Sequence, residues 1–579
     1  MKQQIIILLL FLAVLPAHAQ SQAGSHNLEV GKNLDIFNAL YSNLDLFYVD
    51  TLSPATTMTA AINGMLRSLD PYTEYYPEGD SKNLKMMLTG KYAGIGALVK
   101  YHSRLKRVVI DEPYEGMPAS EVGLKKGDII VSIDDSLMTD KNVSYVSSHL
   151  RGDAGTTFML KVLRPEPAPQ RLEASPTKYK EMSFKITRRN IKLSEMPYYG
   201  MDADSIGYIN FNQFTEGSAR EVRRAFIELK KQGARGMVLD LRSNGGGAEI
   251  EAVDLVNIWV PQEQMVVENR GKVPQATRTY TTRLEPVDTV MPLVVLVNGE
   301  TASASEITSG ALQDLDRAVV MGTRTYGKGL VQVPMDLPYN TNVKITTSKY
   351  YIPSGRCIQA INYAKRRESD SSSRTAGGSL YGDRTPDSLT HVFYTRHGRE
   401  VRDGGGIKPD IEAKNDTMPN IAYYLSASGL DSTEVMFDYV VDYIARHEQI
   451  APAQQFHLTE EDWLEFRQRV IDSGFTYDNQ SRKQFDDLVK TAKFEGYYDD
   501  AREAFDALEQ RLHHNVATDL DKHRETIVQM LEQDIIVAYY YQAGAIATGL
   551  HYDKVYLEAV RLLKNPEEYA RILRPQINE

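Results

Sequence analysis

Leu34, Phe37, Leu40, Leu44 and Phe47 recur at helical spacing, which predicts helices across residues 25–87, the second of them over residues 55–69. Leu69-Asp-Pro-Tyr72 stops that helix, and Tyr72, Tyr75 and Tyr76 follow as residues to pack on a core. Residues 88–165 change to short apolar runs between turns, among them Val108-Val-Ile110, Lys126-Gly-Asp128-Ile-Ile-Val-Ser-Ile133 and the strand at residues 158–162. A proline-rich, charged linker at residues 164–180 leads to strands near residues 184–188 and 206–211. An amphipathic helix at residues 219–232 precedes a buried strand, residues 236–242, and the turn Ser243-Asn-Gly245-Gly-Gly247. Further on, the apolar run at residues 293–297 breaks at Asn298-Gly299 and a helix covers residues 306–314. A strand at residues 318–321 leads into Arg324-Thr-Tyr-Gly-Lys328-Gly329, after which strand resumes. Such alternation predicts a layered α/β domain over residues 166–415. Residues 416–579 read as helical, with Trp463 and Tyr539-Tyr-Tyr541 as core anchors.

A length of 579 residues allows several domains with real cores, and the formal net charge of −11 argues against nucleic acid as a main partner. Residues 1–19 have the form of an export signal: Lys2, then an apolar run, then Ala17-His-Ala19. No later stretch is apolar enough to span a membrane, so a soluble exported protein is expected, most simply periplasmic. The single cysteine, Cys357, excludes internal disulfides. It has no nearby base and reads as a structural thiol. Residues 366–387, rich in Ser, Asp, Arg and Gly, read as a surface insertion.

Two groups suggest chemistry. A serine hydroxyl needs a base, and no histidine occurs between His149 and His391, so a triad for Ser303 would have to borrow His391 or His397. Lysine is the more natural base, provided that Lys328 is buried and kept from carboxylates. The glycines on both sides of it would let the backbone pack closely. Both residues have plainer readings. Ser303-x-x-Glu306 fits a capping box, and Gly322 to Lys328 has the spacing of a phosphate-binding loop. The latter fails at Gly329, where a Ser or Thr would hold magnesium, and a strand follows instead of a helix.

These stretches, TASASEI, ALQD and GTRTYGKGLVQ, resemble the signature of the C-terminal processing (tail-specific) serine peptidases, which use a Ser-Lys pair on a crotonase/ClpP-like α/β core. The resemblance implies Ser303 as nucleophile, Lys328 as base and Gln332 as the residue that orients the lysine. Asp314 matches an aspartate of the site in some members and reads equally as a helix-end structural residue. The turn at residues 240–247 resembles the family's DLRxNxGG motif, which implies an oxyanion donor at Gly246 or Gly247 beside the amide of Ala304. Tyr92-Ala-Gly94-Ile-Gly96 followed by GLKKGDIIVSID resembles a PDZ domain, whose Gly94-Ile95-Gly96 turn would hold a peptide's terminal carboxylate.

The expectation is therefore a multidomain α/β protein: N-terminal helices, an inserted PDZ domain, a peptidase core and a helical C-terminal domain. That last part leaves oligomerisation, lid and scaffold roles all open. The implied activity is ATP-independent endoproteolysis of substrates with free C-termini, without cofactor or metal; His513-His514 reads as a solvated helix face. The rival is a peptide-binding chaperone or scaffold with a silent core.

Overall fold

The computed structural model describes residues 2–80, 91–166, 178–192, 194–363, 385–426, 433–477, 480–512 and 515–574. The chain divides into two compact units. The first comprises Met1–Ser81, Gln332–Thr346 and Tyr363–Ser373. Its opening helix, Lys2–Phe47, runs through the expected export signal and beyond. The helical period there is real, but Leu34, Phe37, Leu40, Leu44 and Phe47 all lie exposed. The second helix, Pro54–Arg67, starts at the Ser53 cap with proline in its first turn, where a missing N–H costs nothing. Asp70 then holds the LDPY turn, accepting the N–H groups of Tyr72 and Thr73 at 2.8 Å each. The short strand Glu74–Tyr76 pairs antiparallel with residues 342–344. Among the described residues no helix is long and apolar enough to cross a membrane.

In the second unit, an antiparallel sheet is built from Ala97–His102, Arg107–Pro113, Ile129–Ile133, Thr157–Pro165 and Tyr179–Thr187, in that order. Ile110, Ile130, Phe158, Leu160 and Ile186 share its core with Val146 of the helix Val143–Leu150. Tyr179–Thr187 corrects one expectation. The alternation Met182, Phe184, Ile186 faces this core, so the strand expected near residues 184–188 closes the PDZ-like sheet rather than opening the peptidase core. The expected linker shrinks to the connection between two paired strands, of which residues 167–177 lie outside the described residues.

The central sheet runs Tyr198–Met201, Ile206–Asn210, Gly236–Asp240, Leu293–Val297, Val319–Gly322, Ile411–Glu412, parallel after its first, antiparallel pair. A parallel sheet needs both faces covered. One face, with Leu239, Val295 and Val320, buries against the helices Ser218–Lys231, Glu249–Val256 and Ala304–Asp314. The other, with Val238, Val294, Leu296 and Val319, is covered by Val555, Tyr556, Ala559 and Leu562 of Lys554–Leu563 and by Tyr569 of Pro566–Ile572. Tyr569 even splices into the sheet, its hydroxyl bonding both N and O of Leu293 at 3.0 Å. The sheet's second face is thus covered by the last two helices of the helical C-terminal region.

The rest of the helical region has its own core around Tyr439, Trp463, Phe466 and Leu531. Trp463 is an anchor as expected, whereas the three tyrosines differ: Tyr539 packs on this core, Tyr540 is exposed, and Tyr541, at φ 56° and ψ −168°, breaks the helix Arg524–Gly549. His513-His514 lies outside the described residues, as does the 366–384 part of the expected insertion.

Candidate active site

The strand Leu293–Val297 ends where the Asn298 side chain organises the chain: Oδ1 accepts from Glu300 N and Thr301 N at 3.1 Å and from Ser243 N at 2.9 Å. The next turn delivers Ser303 at the N-terminus of the wholly buried helix Ala304–Asp314. Ser303 sits at φ 58°, ψ −117°, a region L-residues rarely hold and one that surrounding structure must enforce. The capping-box spacing is used in one direction only. Glu306 Oε2 accepts from Ser303 N at 2.9 Å, while the Ser303 hydroxyl takes no part in capping.

Glu306 reaches further than a cap. Its Oε2 also accepts from Lys328 N at 2.9 Å, and Oε1 accepts from Gly327 N at 2.8 Å and Thr325 Oγ1 at 2.5 Å. Ser303 N and Lys328 N therefore cannot be farther apart than two hydrogen bonds end to end. Tyr350 closes the same junction from the other side, its hydroxyl donating to Ser303 O at 3.1 Å and to Lys328 O. Burial pushes the Glu306 carboxyl up to about 7, against the pull of its four donors. Sequence reasoning saw Glu306 only as a cap; the signal was a carboxylate among the small and apolar residues of the helix's first turns.

Both glycines beside Lys328 are required sterically. A Cβ on Gly327 would stand 2.4 Å from Ala360 Cβ, and one on Gly329 would stand 2.7 Å from Gln359 N. Lys328 itself is half-buried rather than buried, and its backbone does meet a carboxylate, that of Glu306.

The glycine turn after Gly236–Asp240 packs on the serine turn. A Cβ on Gly246, at φ 96°, would lie 2.9 Å from both Ala304 N and Ser303 Cβ. Gly247, at φ 146°, has no room either, its Cβ position being 2.2 Å from Phe214 O. The two differ as donors. Gly246 N–H is committed to Asn244 Oδ1 at 2.9 Å, whereas that of Gly247 takes no partner among the described residues.

Comparison with known proteins assigns the parts. Peptidase family S41 matches residues 205–364, a PDZ domain residues 109–164, and the "Probable PDZ-protease, C-terminal helical domain" residues 426–563. A carboxy-terminal-processing protease of Bartonella bacilliformis is 32% identical over 353 residues, 60% of this chain and 78% of that protein. The chain belongs to peptidase family S41, that of the carboxy-terminal-processing proteases. A carboxyl-terminal-processing protease of Synechocystis sp. is 35% identical over 306 residues, 52% of this chain and 68% of that one. A solved photosystem II D1 C-terminal processing protease aligns over 66% of this chain and 93% of its own at 25% identity, with a TM-score of 0.35.

Other residues of this S41 chain have partners of their own. Asp314 closes the far end of Ala304–Asp314, about 16 Å along the axis from Ser303. There its Oδ1 accepts from the buried Arg356 at 2.8 Å and its Oδ2 from Ser354 N at 3.0 Å. Gln332 belongs to the first unit, where its amide donates to Thr346 Oγ1 at 3.1 Å. His391 pairs with Asp403, and His397 meets Leu573 O. Burial raises the Cys357 thiol, leaving it protonated at neutral pH. In the PDZ domain, Gly94 ends a strand paired with Arg189–Lys192, and Ile95 is buried. Gly96, at φ 70°, leaves no space for a Cβ beside Met117. The neighbouring strand Ala97–His102 forms an edge of its sheet.

Proposed function

We propose that the chain is an exported, ATP-independent serine endopeptidase that cuts proteins from or near their C-terminal ends, with Ser303 as nucleophile and Lys328 as base. The observation that carries this is the shared Glu306 oxygen, which holds the backbones of the two residues together at the N-terminus of a buried helix. Neutral Lys328 Nζ takes the hydroxyl proton as Ser303 Oγ attacks the scissile carbonyl. The charge formed on the carbonyl oxygen is met by N–H groups of Gly247 and Ala304, the free donor of the glycine turn and the first of the helix. Lys328 then gives its proton to the leaving amine, and water attacks the acyl-enzyme by the same route. Gln332 enters this scheme only by its spacing from Lys328, and Asp314 has no part in it.

Substrate C-termini would add as a strand beside Ala97–His102, with the carboxylate at the Gly94-Ile95-Gly96 turn. Export rests on the pattern of residues 1–19. Incubating the purified chain with an unfolded protein tests the activity: Ser303→Ala and Lys328→Ala should each abolish cleavage while C-terminal peptide still binds. Cleavage retained by either variant refutes the assignment, and peptide capture without any cleavage by the parent chain would favour the silent scaffold.

A further inference from the structure

One carboxylate from the far end of the chain grips the root of the oxyanion turn. Asp553 caps the helix Lys554–Leu563, Oδ1 accepting from Val555 N at 3.0 Å and Tyr556 N at 3.2 Å. Its Oδ2 accepts from Arg242 Nη2 at 2.5 Å. Arg242 is the last residue before the turn Ser243 to Gly247. The arginine is held on its other side by Asp240, with Nε at 2.9 Å and 3.1 Å from the two carboxylate oxygens and the backbone N–H at 3.0 Å. The Tyr208 hydroxyl donates to the same Asp240 at 2.8 Å, and its ring meets Tyr556 edge-on at 5.3 Å. The cluster is enclosed, with Asp240 3%, Asp553 14% and Arg242 18% exposed.

Packing does not hold the turn from this side. A cavity of about 1150 Å³, lined by Arg242, Ser243, Asn298, Asp553 and Lys554 among others, borders it. The polar cluster fixes the approach of the chain to Ser243, whose own N–H is held by Asn298 Oδ1 at 2.9 Å. Burial alone would raise the Asp553 carboxyl, but the Arg242 guanidinium overrides that and holds it below its usual range. The pair is thus charged at neutral pH and pulls the guanidinium toward the helix.

We infer that Asp553 is a positioning residue for catalysis: acting through Arg242, it sets the oxyanion turn, so that turnover requires the last helices to be docked on the sheet. The inference rests on the Ser303-Lys328 reading above. It makes the end of the helical region part of the catalytic apparatus, since a turn displaced by a fraction of an ångström aims the Gly247 donor away from the developing charge.

Asp553→Asn in the full chain keeps the cap, since asparagine caps as well as aspartate, and removes the charge facing Arg242. We expect kcat on an unfolded protein substrate to fall about tenfold or more, with KM changed less than about twofold. Affinity for a peptide aldehyde, whose adduct oxygen uses the same donors, should fall in proportion while the thermal midpoint moves little. Asp553→Ser, a second capping variant, should behave alike. Adding Arg242→Lys to Asp553→Asn should cost no more than the worse single change, because both act through one contact. Unchanged kcat, additive losses, or failure of both capping variants to fold overturns the inference. Parent turnover that is insensitive to Ser303→Ala sinks the underlying assignment instead, and this inference with it.

Discussion

Ser303 and Lys328 hang from the same atom: each donates its backbone N–H to Oε2 of Glu306 at 2.9 Å. Two side chains carried by different α/β connections are therefore registered through their main chains, which are stiffer than side-chain contacts. Glu306→Gln places an amide NH₂ against donors that faced a carboxylate oxygen, so half the clamp becomes repulsive. Misplacing reacting groups by about 1 Å costs on the order of 10²-fold in rate, and a kcat loss of that size is expected with C-terminal peptide binding intact. Steady-state kinetics beside a peptide titration decide it; near-normal kcat would show that the clamp is dispensable.

The same carboxyl makes stability depend on pH. Its folded value is raised from 4.5 to about 7 by burial, so between those values the folded chain keeps a proton that the unfolded chain has lost. Stability should fall as pH rises through that window, by roughly 3 kcal/mol in total from this group. Calorimetric midpoints from pH 5 to pH 7.5 should decline more steeply for the parent than for Glu306→Gln. Parallel curves would mean that the carboxyl titrates alike in both states.

Tyr350→Phe removes one oxygen from the opposite side of the junction and leaves the ring in place. The hydroxyl joins Ser303 O to Lys328 O, and Tyr350 is buried. Its loss leaves those carbonyls without that donor at a cost of about 1–2 kcal/mol of stability, so the thermal midpoint should fall, and a junction set by the bridge should also lose roughly tenfold in kcat/KM. A change confined to the midpoint would make the bridge purely structural.

What the sequence disclosed was what local pattern controls. Period and turn residues placed the strands around Val238 and Val295, the helix at residues 306–314, and the glycines at 246, 247, 327 and 329 whose positions admit no Cβ or demand positive φ. What stayed hidden depends on partners remote in the chain. Glu306 reads as a cap until Thr325, Gly327 and Lys328 arrive from another connection. Tyr179–Thr187 cannot be assigned to a sheet from its own alternation, and the apolar face of Lys554–Leu563 does not announce which layer it covers. That Gly246 N–H is taken up depends on the Asn244 side chain, two residues away but aimed by its other bond to Phe211 O.

Asp314 supplies the contrast that separates scaffold from chemistry. Its carboxylate and the Arg356 guanidinium are both almost wholly buried, and the arginine also donates to Gln313 Oε1 at 2.8 Å. Breaking such a pair strands a charge in the interior, so Asp314→Leu alone should cost about 3–5 kcal/mol of stability. Arg356→Met alone should cost a similar amount, whereas the double variant, which leaves no buried charge, should recover much of the loss. Denaturant unfolding of the four proteins gives the cycle, and kcat measured on the double variant well below its melting temperature should lie within about threefold of the parent. If Asp314 acted in the reaction, the doubly substituted chain would fold well and fail to turn over. Recovery of stability together with turnover instead confines the residue to holding the far end of the helix Ala304–Asp314.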